Sequence, residues 1–112
     1  MTYNSRAPRG VVLRYAAQPW GPWSDAIVIF NAERDGGYGG FIHDTRITPE
    51  DGLAGSVAGG QDQARVVGGE YAPYIIERFT EIQPGRCNLH YLMSTWNPYT
   101  VVRIRSTLTE AR

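Results

Sequence analysis

Lysine is missing from this sequence altogether. Its 11 basic residues are all arginine and are matched by 11 acidic ones, so the formal net charge is zero. No basic run or stripe stands out, which leaves nucleic acid and anionic membrane surfaces without an electrostatic footprint to bind. Arginine offers instead a planar fork suited to carboxylates and polar ligands. Cysteine occurs once, at Cys87. A single thiol excludes an intrachain disulfide, and no Cys/His cluster has zinc-site spacing, so neither metal nor cofactor is expected. Standing before an apolar strand, Cys87 reads as a small buried hydrophobe. No run is apolar for long enough to span a bilayer, and Met1 to Arg6 lack the apolar core of a signal peptide. A complete protein of this kind is cytosolic by default, whereas a fragment could have lost an export signal with its front end. Helical patterning is scarce too. No segment holds an apolar period near 3.6 residues for three turns, and 13 glycines and 7 prolines interrupt the chain.

What the chain does have is strand. With 112 residues, 42% hydrophobic and 20% charged, it fits one small globular domain that buries roughly two-thirds of its unfolded surface. Val11 to Ala17 is β-rich, Ala26 to Phe30 is a short apolar run, and Phe41 to His43 forms a further short candidate. Tyr74 to Phe79, Leu89 to Trp96 and Thr100 to Leu108 complete the expected strands. The last alternates: Val102, Ile104 and Leu108 share one face, with Val101, Arg103, Arg105 and Thr107 on the other. Asn97 and Pro98 between the final two strands suit positions i and i+1 of a type I turn. Residues 44–70 read as a Gly-rich surface loop, with a brief turn around Pro49 to Leu53. YGGFI at Tyr38 to Ile42 and YAPYI at Tyr71 to Ile75 echo one another, as stacked β-units do. The fold class that follows is all-β.

Four motifs occur in order: GPWS at Gly21 to Ser24, YGGFIHD at Tyr38 to Asp44, GGEYAPYIIERF at Gly68 to Phe79, and STWNPYTVV at Ser94 to Val102. Together they resemble the C-terminal part of the domain of unknown function family 4185, from about Val11 to Leu108, with STWNPY the most specific block. The resemblance implies a five-bladed β-propeller, bacterial and often exported or at the cell envelope. It also implies similarity to D-arabinan-degrading enzymes of glycoside hydrolase family 183. A blade takes roughly 40–50 residues, so the chain offers antiparallel sheets for about two blades, a single partial domain over 1–112. The expectation is a truncated or split reading frame, whose partners are a glycan and either the absent blades or further copies of itself.

Glycoside hydrolysis needs two carboxyl groups, one protonated and one ionised. Asp44 is the better catalytic candidate because it follows a strand and sits beside His43; Glu70, just before the YAPY strand, comes second. Turn capping or simple solvation is the competing reading of each, and neither is assigned as acid or nucleophile. His43 suits a hydrogen bond to a sugar hydroxyl, against the alternative of a satisfied structural histidine. Trp20, Trp23 and Trp96 can stack on sugar rings, although the prolines beside Trp20 and Trp23 favour packing. Trp96 and Asn97 stand at a hairpin tip, while Tyr71, Tyr74 and Arg78 are placed to contact substrate or to form a Tyr-Arg stack. The function expected is a fragment of a carbohydrate-active propeller hydrolase that contacts substrate through His43, Tyr71, Tyr74, Arg78, Trp96 and Asn97 but is inactive alone. Its rivals are a non-catalytic carbohydrate-binding or structural β module and a truncated product with no independent role.

Overall fold

A computed structural model of the chain describes residues 1–47, 51–53, 55 and 65–110. Two antiparallel sheets make up the fold, and no α-helix occurs among the described residues. Nor is any helix there long and apolar enough to cross a membrane. The first sheet is a meander of β1 (Thr2–Arg6), β2 (Arg9–Leu13) and β3 (Ile27–Phe30), in that order. The second holds β4 (Gly69–Ile75), β5 (Glu81–Gln83), β6 (Arg86–Trp96) and β7 (Thr100–Thr109). β7 pairs with β6 from Arg86 to Thr95 and so takes one whole edge of it. The other edge is shared, with β4 on its Tyr91–Trp96 half and β5 on its Arg86–Asn88 end. A one-turn 3-10 helix, Glu77–Phe79, separates the two short strands. Both sheets are therefore three rows wide.

The sheets bury their inner faces on each other. Val11 and Leu13 from β2, and Ile29 and Phe30 from β3, meet Leu89, Tyr91 and Met93 of β6. On β6 the buried residues alternate from Leu89 to Thr95, the signature of one face in and one face out. The Tyr91 hydroxyl shares a hydrogen bond with Ser106 at 3.1 Å, and Ser106 donates to the Ile29 carbonyl at 2.9 Å, stitching β7 to β3. Burial pushes the Tyr91 phenol up to about 12, so it stays neutral. The radius of gyration is 15.8 Å, against about 13 Å for a compact domain of this length. Ile82, at the far end of the second sheet, stands exposed beyond the core.

Several expectations change. The strand expected over Val11 to Ala17 runs Arg9–Leu13, and β1 and β5 are additional. Phe41 to His43 is no strand; glycine-rich turns leave only an isolated bridge between Tyr38 and Ile42. YAPYI lies instead in a bulged strand, Ala72 at φ 49°, so the echo is not a structural repeat. The strand expected at Tyr74 to Phe79 starts at Gly69 and stops at Ile75, where the chain turns. Within 44–70, Gly69 and Glu70 belong to β4, and the turn expected around Pro49 to Leu53 lies partly outside the described residues. Asn97 adopts φ 49° and is followed by a cis peptide bond to Pro98, within a turn over residues 97–99. Trp20 packs against no core here and is 80% exposed.

Candidate functional site

The residues singled out in the sequence fall into three places. The first is the tip of the β6–β7 hairpin. Asn97 is fully buried there, with both ends of its side-chain amide and its main-chain carbonyl engaged. Its side-chain oxygen accepts the Gly55 amide at 2.7 Å, and its side-chain nitrogen donates to the Val66 carbonyl. Its own carbonyl accepts the His43 amide at 2.9 Å, and the His43 carbonyl accepts the Gly68 amide at 2.9 Å. Gly68 fits only as glycine, since a Cβ would stand 2.5 Å from the Asn97 oxygen and 2.6 Å from that of Trp96. Trp96 lies over Gly69, its register partner on β4. Left-handed backbone, which asparagine tolerates better than most residues, lets Asn97 face three segments at once. This is a clasp between the hairpin and the glycine-rich segment.

His43 and Asp44 complete the clasp. The His43 ring is fully buried, with Nδ1 2.8 Å from both carboxylate oxygens of Asp51. An ionised carboxylate only accepts, so Nδ1 carries the proton. Burial works against the Asp51 charge, but the Leu53 amide, the His43 imidazole and the Asp44 amide outweigh it and hold the carboxyl below its ordinary range. Asp44 accepts the Arg46 amide at 2.8 Å and the Arg46 guanidinium at 2.6 to 3.0 Å. That guanidinium, more than anything else, holds the Asp44 carboxyl below the usual carboxylate range despite burial. Asp44 is thus paired with Arg46, and His43 and Asn97 are fully buried.

The second place centres on Tyr38. Its hydroxyl accepts a hydrogen bond from Arg9 at 2.7 Å, and the Arg46 guanidinium lies over its ring at 5.4 Å from the centroid. Burial raises the phenol's pKa, keeping it a neutral donor and acceptor. Tyr38 stands between two cavities, the first of them mainly polar. One, of about 200 Å³, is lined by Asn4, Arg9, Gly68, Gly69 and Glu70. The other, of about 250 Å³, is lined by Glu33, Asp44, Arg46 and Ile47. Glu70 is 9% exposed, and its carboxylate has no hydrogen-bond partner among the described residues. Its main-chain carbonyl accepts Asn4 at 2.9 Å, tying β1 to β4. The two candidate acids are thus brought to opposite sides of one tyrosine. Tyr38 had a signal in the YGGFIHD motif, but nothing in the local pattern pointed to Arg9 or Asn4.

The third place is the outer face of the second sheet, away from both cavities. Tyr74 is 70% exposed, and Tyr71 is exposed beside it. Arg78 does not stack on Tyr74: the 3-10 turn carries it over Phe79, 4.8 Å from the ring centroid. Arg103 approaches the same ring at 5.9 Å. Among the described residues no set of His, Cys, Asp and Glu side chains gathers into a group that could hold a metal. In comparisons with family models, curated proteins and solved structures, nothing matches the chain.

Proposed function

We propose that this chain is the glycan-contacting part of a carbohydrate-active β-propeller hydrolase, about two blades of it, supplying contacts but not a complete catalytic pair. One observation carries the reading: Glu70, nearly buried and unpartnered, faces a polar cavity shared with Arg9, Tyr38 and Asn4. A carboxylate, a guanidinium, a phenol and an amide converging in one recess are the donors and acceptors that sugar hydroxyls require. Asp44, already paired with Arg46, supports the view that the second catalytic group lies elsewhere.

Two measurements test it. Incubated with D-arabinan, the chain is expected to release no reducing ends, while isothermal titration with arabinan oligosaccharides gives weak, saturable binding. Glu70→Gln and Tyr38→Phe should each weaken that binding about tenfold, the loss of one charge-assisted or buried hydrogen bond. Robust hydrolysis would overturn the incompleteness, and absence of binding would overturn the site. A second reading, a non-catalytic β module that assembles through its surface, draws on exposed Tyr71, Tyr74, Phe79 and Leu92. Size-exclusion chromatography and near-UV circular dichroism separate it from a product with no independent role, which would be molten or aggregated.

A further inference from the structure

We infer that the free edge of β7 is a docking edge for an extended strand of a partner protein, one that carries carboxylates at alternate positions. Every strand has two hydrogen-bonding edges, and β6 occupies only one of β7's. No main-chain group on the other side of β7 has a hydrogen-bond partner among the described residues. Proteins blunt such edges with proline, bulges, charged side chains or short length. From Thr100 to Thr109, TVVRIRSTLT, there is no proline, bulge or inward charge, and the guards present are the outward Arg103 and Arg105, which repel a basic strand and not an acidic one. The pairing with β6 runs without a register shift, whereas β2–β3 and β4–β6 are both bulged. β7 is long and regular, guarded only by these two charges.

The core is also unfinished at this edge. Ile104 and Leu108 point inward but are only partly buried. A groove of about 430 Å³ runs beside them, between β7 and β3, with Val28, Phe30 and Phe41 in its wall and the Arg34–Asp35 pair, Arg105 and Thr107 supplying its polar surface. A strand added to β7 would lay its inward side chains over this groove, so main-chain pairing and apolar burial would be satisfied by one occupant. Alternate side chains would be apolar for that reason.

Charge decides what the other side chains are. On the outer face Arg103 and Arg105 stand opposite Leu92 and His90 of β6, with no carboxylate across from them. Neither forms an ion pair. An incoming strand places its outward residues directly opposite these arginines, where acids stabilise and bases repel. A second copy of β7 fits poorly. The symmetric antiparallel registers that pair most residues centre on Ile104 or Arg105, and each sets arginine against arginine.

The test uses the full chain and three synthetic peptides matched to β7 in length. One alternates glutamate with valine, one alternates lysine with valine, and the third is the glutamate peptide N-methylated on one edge. Fluorescence anisotropy should show saturable binding of the glutamate peptide, with slowed amide hydrogen exchange from Val101 to Thr107. The lysine peptide should bind at least about tenfold more weakly from reversed cross-strand pairs, and the N-methylated one likewise from lost main-chain bonds. The exposed double variant Arg103→Glu/Arg105→Glu should invert the preference towards lysine. Absence of saturable binding, indifference to N-methylation, or an unchanged preference in the double variant would each overturn the inference. So would concentration-dependent self-association that protects β7, which would make a second copy the occupant.

Discussion

The tip of the β6–β7 hairpin and the outer face of the same sheet are built from similar material, aromatic rings beside polar groups, and they use it in opposite ways. At the tip, Asn97 is fully buried and bonded to Gly55, Val66 and His43, with the His43–Asp51 pair beneath. On the outer face, Tyr74 is largely exposed and Arg78 and Arg103 rest on one phenylalanine ring. The difference lies in what water is allowed to do. A polar group sealed from water must find its partners inside the chain, so the tip behaves as a framework. A polar group left in water has spare capacity, and only such groups are available to something outside. By that measure Glu70, sheltered yet unpartnered, is the one candidate that belongs to neither extreme.

Breaking the framework should produce the largest effects. Asp51→Ala leaves the His43 Nδ1–H and the Leu53 and Asp44 amides without their acceptor, and each buried donor left unsatisfied costs about 1–3 kcal/mol, so the summed loss should be the largest. Urea denaturation followed by tryptophan fluorescence measures it; a loss under about 1 kcal/mol would mean the pair is solvated. Asp44 and Asp51 both titrate below the ordinary carboxylate value when folded. The stability they add is therefore complete above about pH 4 and drains away as pH falls through their lower folded values. The variant should flatten that acid limb.

Next in size is the clasp itself. Asn97→Ala removes the amide that joins Gly55 and Val66 and places a Cβ residue without compensating bonds at φ 49°. The expected loss is about 2–3 kcal/mol, mostly from the buried main-chain groups left unsatisfied. Asn97→Gly relieves the backbone but not the lost bonds, so it should recover only a minor part of the loss. If glycine restored full stability, the side-chain contacts would be incidental.

The same contrast explains what could be read from sequence. Alternation in Thr100 to Leu108 gave the outward and inward faces of β7 correctly, because a period of two follows from the strand itself. Leu89 to Trp96 and Ala26 to Phe30 were legible for a similar reason: apolar runs of strand length bounded by turn residues. β1 was hidden because TYNSR is polar, and only its pairing with β2 makes it a strand. The end of β4 at Ile75 was hidden too, since nothing in YIIERF announces a 3-10 turn. Within the candidate site, His43 takes the satisfied structural role that competed with sugar binding, and Asn97 is likewise bonded inside the fold. Their partners Asp51, Gly55 and Val66 lie in a segment with no periodicity, where a tertiary contact leaves no local trace. Arg9 reaches Tyr38 across 29 residues for the same physical reason.

The smallest effect should come from the outer face, and its smallness is informative. Tyr74→Ser removes a large ring whose surroundings are mostly water, so the folded state loses little burial. Surface changes of this kind stay within about 0.5 kcal/mol. Leu92→Ser, on β6 directly opposite Tyr74, should behave alike, and the two together should add. Chemical denaturation of both single variants and the pair measures this. A coupled loss well above the sum would show that the ring and the leucine form a packed cluster within the chain. An additive, near-neutral result would leave this face as surface whose apolar area does nothing for the isolated fold. That is the condition under which tyrosine at such a position is better explained by contact with another molecule than by the stability of this one.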